Sequence, residues 1–310
     1  MRKFLIGLVT LAVVGVACGS DSDGSAASGP TGGGSSSSAP PATAADCAAG
    51  TTLTEAGVLT IGTDNPAYPP YFQGGTTNGS DWKLNDPNTG KGFESAVAYA
   101  VADKLGFTAD QVNWIVAPFN TTYAPGQKSW DFAIEQISYS AKRAQAVDLS
   151  DSYYDVNEAL VAVKGTPIAG ATSIADLQGY TIAAAIGTTS YTYITDVIGA
   201  TPAAYQTVAL TVAALNAGQV DGLLIDLPTA LYMADPYVQQ VKNSVVVGQF
   251  APEAGGSTDH VSMALQKDST LTPCVNQAIA ELKSDGTLQA ITTEWLSKKT
   301  NVGNVPVFGS

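Results

Sequence analysis

The sequence predicts an α/β protein whose strands pair mainly in parallel. Three observations lead there. Short apolar runs alternate with helix-period segments from residue 58 to residue 134. The same alternation begins again near Ala159 and continues to Val247. The chain has 310 residues and is 45% hydrophobic, enough for one or two cored domains. Strand–helix–strand alternation points to parallel sheets, because a parallel crossover needs a connection of helix length.

The elements follow in order. Residues 58–63, VLTIGT, read as a buried strand, broken by Asp64-Asn65-Pro66 into a stiff loop that presents Tyr68 and Tyr71. Residues 73–91 are rich in Gly, Asn, Asp and Thr and read as surface loop. In 92–105, Phe93, Val97, Val101 and Leu105 recur at a spacing of four, which predicts an amphipathic helix stopped by Gly106. Residues 112–116 form the next strand. A second unit opens near Ala159, with strands predicted at 160–163, 181–186, 220–225 and 245–247. Helices are predicted at 173–179, after the Gly187-Thr188-Thr189-Ser190 turn, at 209–217, and after Asp226, where Pro228 suits a first turn. Residues 261–265 alternate like a strand, and helices at 273–283 and 288–296 close the chain.

The stretch 130–154, WDFAIEQISYSAKRAQAVDLSDSYY, organises the rest. Phe132 and Ile134 mark a short strand whose carboxyl end turns polar at Glu135, Gln136 and Ser138. Ser140 reads as the N-cap of a short helix. Arg143 then lies in that helix's first turn, where a cation opposes the macrodipole unless an anion sits there too. Ligands in open α/β sheets gather at the carboxyl ends of strands. The alternative is a solvated Arg on a surface turn.

Charge excludes several classes. The net charge is −13, with only 14 Lys and Arg and one His. A nucleic-acid binder needs a basic face, so nucleic acid is excluded as a partner. A His-rich metal site is excluded, no metal or cofactor is expected, and a Ser-His-Asp triad would have to use His260.

The amino end reads as an export signal. Arg2 and Lys3 precede an apolar stretch over 4–17 that is too short to span a bilayer. It ends at Gly15-Val16-Ala17-Cys18, which resembles the lipobox of bacterial lipoproteins, with Gly15 in the usual Leu position. The resemblance implies a signal peptide over 1–18 and a diacylglyceryl group on Cys18, hence an extracytoplasmic, membrane-anchored protein. The alternative is cleavage after Ala17 without lipid. Residues 19–46 are Gly, Ser, Ala, Pro and Thr rich without apolar periodicity, and 19–50 is read as a disordered tether reaching on the order of 30 Å. In an exported protein the two remaining cysteines, Cys47 and Cys274, suggest one disulfide.

Several motifs together resemble family 3 extracellular solute-binding proteins, the amino-acid-binding components of ABC importers. They are LTIGTDNPAYPPY, GFESAVAYAVADKLGF, the 130–154 stretch, the IGTTS turn, and DGLLID followed by Pro228. The resemblance implies a two-lobe, periplasmic-binding-protein-like type II fold with a hinge of two strands. Lobe one would comprise 51–156 and 258–303, and lobe two 157–257. Both Cys47 and Cys274 would then lie on lobe one. It also implies a ligand set: Arg143 for the α-carboxylate, with Thr188, Thr189 and Ser190 assisting from lobe two; Asp226 for the α-ammonium; Ser138 as a further hydrogen-bonding group; and Tyr68 and Tyr71 packing on the ligand. Asp131, Asp151 and Tyr154 are read as structural. The partner implied is an ABC permease, and the protein is expected to act as a monomer without enzymatic activity.

Alternatives stay open at this level. Tyr68 could belong to the core, and Asp226, Thr188 and Thr189 could simply cap helices. Many family members carry a small residue and Gly where this chain has Glu135 and Gln136. A carboxylate at the mouth of the cleft would favour a polar or basic amino acid, unless Glu135 points away. Two other classes compete: a dehydratase on the same fold, with Glu135 or Glu94 as general acid, and a ligand-sensing module for a separate membrane receptor.

Overall fold

The computed structural model describes residues 43–77, 79–236, 238–250, 260–297 and 305–308. The stretches read above as a signal peptide ending at Cys18 and as a tether, up to residue 42, lie outside these residues. The described chain opens with α1 (Ala44–Ala48), then β1 (Leu59–Thr63), α2 (Phe93–Lys104), β2 (Val112–Val116), α3 (Phe119–Thr122), β3 (Phe132–Ala133), α4 (Ala141–Ala146) and β4 (Asp148–Leu149). It continues through β5 (Tyr154–Asp155), β6 (Glu158–Val163), β7 (Ile182–Ala185), α5 (Thr189–Tyr193), β8 (Ala203–Tyr205), α6 (Val208–Asn216), β9 (Gly222–Asp226), α7 (Leu227–Ala234) and β10 (Ser244–Gln249). Then come β11 (His260–Val261), β12 (Ala264–Leu265), α8 (Thr272–Ser284) and α9 (Thr287–Thr292).

Two five-stranded sheets result, ordered β2-β1-β3-β12-β4 and β10-β6-β9-β7-β8. β1 pairs in parallel with β2 and β3, and β7 with β8 and β9. β12, β6 and β10 add antiparallel pairings, so each sheet is mixed. The antiparallel strands are those that enter or leave through the hinge, where the chain reverses without a crossover helix. A separate two-stranded ribbon, β5 with β11, is that hinge. The run 261–265, expected as one strand, divides between the hinge ribbon and the first sheet. Its alternation was genuine, but the chain bends between Val261 and Ala264 to serve both.

The cores follow the strand period of two. In the second sheet Ala159, Val161, Leu223 and Ile225 face the layer of α6 and α7, while Leu160, Ala162, Leu224 and Ala184 face the opposite layer under α5. In the first sheet Leu59, Ile61, Phe132 and Ile134 join the large core with α2 and α8, and Ala133 and Ala264 face the smaller cluster around Trp130.

The caps read from the sequence form as expected. Ser140 accepts from the Arg143 amide at 3.2 Å. Gly106 follows α2 at φ +87°. Asp131 accepts from the Thr54 and Thr60 amides, both at 2.7 Å, which is a structural role.

Residues 173–179, expected as a helix, form only a 3-10 turn over Ala175–Leu177, and two further segments depart from expectation. The tether reading for 19–50 is corrected at its carboxyl end, where Ala44–Ala48 is a helix capped by Thr43. Cys47 is bonded to Cys274 of α8, and the Ala44 amide donates to Glu281 at 2.9 Å. A link across 227 positions removes roughly 5 kcal/mol of unfolded-chain entropy in the loop-closure model, so a segment too short to fold alone is held. Residues 305–308 also return to the second sheet. The Phe308 amide donates to Gln249 O and the Gln249 amide to Pro306 O, at 2.9 and 2.8 Å.

Candidate functional site

The parallel strands of both sheets aim their carboxyl ends at one region. β1 ends at Asp64, β3 runs on into Glu135, β9 ends on Asp226, and β7 leads to Gly187. Local sequence forces each of these turns. Asn65-Pro66 and Pro69-Pro70, both cis, end the first strand in the aromatic loop. Gln136 leaves β3 at φ +53°, a left-handed conformation that glycine adopts more readily. Its amide donates to Glu94 Oε1 at 2.7 Å, and its side-chain amide donates to Glu94 Oε2.

Arg143 is 7% exposed and reaches across to the other lobe. Nη1 donates to Ser138 O at 2.6 Å and Nη2 to Gly187 O at 2.8 Å. Its guanidinium carbon lies 4.2 Å from the Tyr123 ring centroid and 5.5 Å from that of Phe119, so an aromatic wall flanks the cation. Burial lowers its pKa, with Tyr123 and Asp226 opposing that shift. Tyr123 also donates to Gly187 O at 3.2 Å.

Further pairs cross between the lobes. The Ser138 and Thr189 hydroxyls are 3.1 Å apart, and those of Tyr71 and Thr229 are 3.0 Å apart. Thr189 and Ser190 both donate to Glu158, at 3.1 and 2.8 Å. Glu158 stands opposite Asp226 in the β6–β9 register. The Thr188 hydroxyl accepts from the Tyr191 amide at 3.2 Å and donates to Ala185 O at 2.8 Å, so capping accounts for it. Asp226 precedes α7 without a side-chain cap bond, so the capping alternative does not describe it. Its charge instead acts on Arg143, Tyr71, Tyr154 and Glu94. Tyr68 is 39% exposed and is no core residue, whereas Tyr71 is buried.

Two carboxyls are buried in lobe one behind these groups. Glu94 is fully buried and accepts from Tyr153 as well as from Gln136. Burial raises its pKa to about 7 against these hydrogen bonds. Glu135 is 3% exposed, and neither carboxylate oxygen has a hydrogen-bond partner among the described residues. It is therefore sunk below the mouth where the sequence suggested it. Burial pushes its pKa well up, and Asp64 and Glu94 add to this. Among the described residues no three of His, Cys, Asp and Glu are placed to hold a metal ion.

Arg143, Ser138, Thr189, Ser190, Tyr71 and Asp226 thus form one connected cluster between the two sheets, through direct hydrogen bonds, the shared acceptor Glu158 and the Asp226 charge, with Glu135 and Gln136 at the end of β3 beside it. Sequence reasoning missed Phe119, Tyr123, Asp64, Glu158 and Thr229 as parts of it. Asp64 and Phe119 carry a signal, since both sit just past the carboxyl end of a parallel strand. Thr229 carries none, because its position in α7 acquires meaning only when the lobes meet.

Residues 59–298 match the family model of bacterial extracellular solute-binding proteins, family 3, and the chain belongs to that family. It is similar to the L-cystine-binding protein TcyJ of Escherichia coli (strain K12), 29% identical over 249 residues, covering 78% of this chain and 83% of that protein. The lysine/arginine/ornithine-binding periplasmic protein of the same strain is 27% identical over 206 residues, covering 61% of this chain and 77% of that one. Among solved structures, an ancestral arginine-binding protein bound to glutamine aligns with a TM-score of 0.60 at 27% identity, covering 78% of this chain and 98% of that chain.

Proposed function

We propose that this protein captures a free amino acid with a polar or basic side chain between its lobes and delivers it to an ABC permease. The observation that carries this reading is the placement of one cation and one anion on opposite lobes of one cleft. Arg143 of lobe one lies within hydrogen-bond reach of lobe two, and Asp226 of lobe two is close enough to act on the Arg143 charge. A zwitterion has matching ends: its carboxylate suits Arg143 and its ammonium suits Asp226. Ser138, Thr189 and Ser190 offer further polar contacts, with backbone at Thr188, and Tyr68 and Tyr71 supply aromatic surface. A ligand gripped by both lobes favours the closed form by its differential affinity for that form, and closure about the β5–β11 ribbon is a hinge motion. The relatives are binding proteins for cystine and for lysine, arginine and ornithine, in support of the same role.

On this reading residues 51–156 with 258–303, and 157–257, are the two moving lobes, the protein acts as a monomer, and it performs no reaction. A lipid on Cys18 would hold it at the outer face of the membrane on the tether. Glu94 is a poor general acid for a dehydratase, because Tyr153 and Gln136 already occupy its oxygens.

Calorimetry with a panel of amino acids tests the reading. Micromolar affinity corresponds to about −8 kcal/mol. Arg143→Ala should weaken binding by about a hundredfold or more, since it leaves a carboxylate unpaired in a desolvated site. Retained affinity would place the carboxylate elsewhere.

A further inference from the structure

Glu158 is the buried group on which the lobe-two hydroxyls of the cleft converge. It opens β6, is 3% exposed, and stands opposite Asp226 in the antiparallel β6–β9 pair, so both carboxyls project from one face of the second sheet. Thr189 Oγ1 donates to Glu158 Oε1 at 3.1 Å, and Ser190 Oγ donates to Glu158 Oε2 at 2.8 Å. A hydroxyl has a single proton to give and a carboxylate has none, so these bonds fix the direction of both hydroxyls. Thr189 Oγ1 also lies 3.1 Å from Ser138 Oγ of lobe one. With the Thr189 proton committed to Glu158, that contact runs from Ser138 to Thr189. The chain Ser138–Thr189–Glu158 is therefore polarised one way, from lobe one into lobe two.

We propose that Glu158 is a positioning residue that turns Thr189 into an acceptor for the ligand's ammonium, beside Asp226, rather than a donor to its carboxylate. This rests on the amino-acid reading above and refines it. The family resemblance implied that the hydroxyls of the 187–190 turn assist Arg143 on the carboxylate. In this chain the Thr189 and Ser190 protons are directed to Glu158, and their oxygens offer the cleft only lone pairs. A carboxylate brought to those lone pairs gains no hydrogen bond, whereas an ammonium gains a charge-assisted one. The carboxyls of Glu158 and Asp226, neighbours across the β6–β9 register, favour the ammonium in the same way. The two hydroxyls then divide their tasks. Ser190 is 5% exposed and braces Glu158, while Thr189 is half-buried and bridges to Ser138, where a ligand held by both lobes would lie. The carboxylate end is left to Arg143, whose guanidinium donates to Ser138 O and Gly187 O and has further N–H groups to offer. The cleft is thus divided by hydrogen-bond polarity, with donors at Arg143 and acceptors at Thr189 and Asp226.

The experiment is calorimetry of the full chain with L-arginine, L-lysine, L-histidine and L-glutamine, each paired with the analogue in which hydrogen replaces the α-ammonium. Weak analogues are titrated in competition with the amino acid. The readout is the ratio of amino-acid to analogue affinity, which a merely structural loss does not move because it weakens both alike. The wild type should prefer the amino acid by about a hundredfold or more. Thr189→Val should lower that ratio by about tenfold or more, and Thr189→Ser, which restores the hydroxyl, should recover it. Glu158→Gln presents an N–H to one of the two hydroxyls and releases that hydroxyl's proton, so it should lower the ratio in the same direction. Should Glu158→Gln fail to fold, the two Thr189 variants decide. An unchanged ratio in Thr189→Val or in a folded Glu158→Gln, or a greater loss for the analogue than for the amino acid, overturns the assignment and leaves the amino-acid reading standing. A wild-type ratio near one, or no binding of any of these amino acids, overturns both.

Discussion

Glu94 shows how much a single side chain can do in this fold. It sits in the first turn of α2, where a negative charge suits the macrodipole. Burial nonetheless holds its pKa near 7, up from its ordinary 4.5. The sign for stability follows from that rise. The neutral acid is favoured in the folded state, so its contribution is complete below about 4.5 and is lost as pH climbs through 7. Glu135, also raised, adds in the same direction. Thermal melts should therefore show a higher midpoint at pH 5 than at pH 8. Glu94→Gln keeps the shape, and its amide can still meet Gln136 once that amide turns over. The variant should lose much of the slope; a wild-type midpoint that rises from pH 5 to pH 8 would refute the argument. Arg143 is the complementary case. Its place in a helix's first turn was visible in the sequence, but its aromatic wall was not, since Phe119 and Tyr123 are distant in the chain.

At the level of elements, the C-terminal segment is the least expected part. β10 lies at the free edge of the second sheet, and an exposed edge invites unwanted pairing. Residues 305–308 cover its end. The Phe308 ring lies 4.7 Å from that of Phe250, over Gly248, where a Cβ would stand 2.8 Å from the ring. Gln249 binds the Val305 carbonyl at 2.9 Å with one end of its amide and accepts from Asn157, beside the hinge, at 2.8 Å with the other. Phe308→Ala should therefore cost up to about 3 kcal/mol and speed amide exchange at Gln249 and Phe250. Unchanged exchange there would mean the segment contributes nothing to the edge. The short helix Ala44–Ala48 teaches the same lesson. Its composition is that of the Gly, Ser, Ala and Pro rich stretch before it in sequence, and its Thr43 cap, the bond to Cys274 and the contact with Glu281 hold it as a helix.

For the molecule as a whole, the consequential geometry is the approach of the lobes at Gly187. It has φ +86°, and a Cβ there would lie 2.7 Å from Tyr123 Oη and 2.8 Å from Asn120 Oδ1. Both are groups of the opposite lobe. Gly187→Ala is therefore expected to hold the lobes slightly apart and to weaken ligand binding by about tenfold, allowing also for strain at positive φ. Small-angle scattering should give a larger radius for the liganded variant than for the liganded wild type. Equal radii and equal affinity would show that closure does not depend on this contact.

Much of this architecture is written locally. Apolar runs marked β6, β7, β9 and β10 of the second sheet but not the short β8, a spacing of four marked α2, and Ser140, Gly106 and Pro228 marked boundaries, because each depends on neighbours a few residues away. Arg143 and Asp226 could likewise be located in the sequence, one in the short helix after β3 and one at the end of β9, whereas the ligand roles expected of them came from the family resemblance. The depth of Glu135, the aromatic wall beside Arg143, the splitting of 261–265 and the docking of Phe308 were not legible there. Each depends on which distant segments meet, and burial and pairing across the lobes are properties of that assembled surface rather than of any stretch of chain.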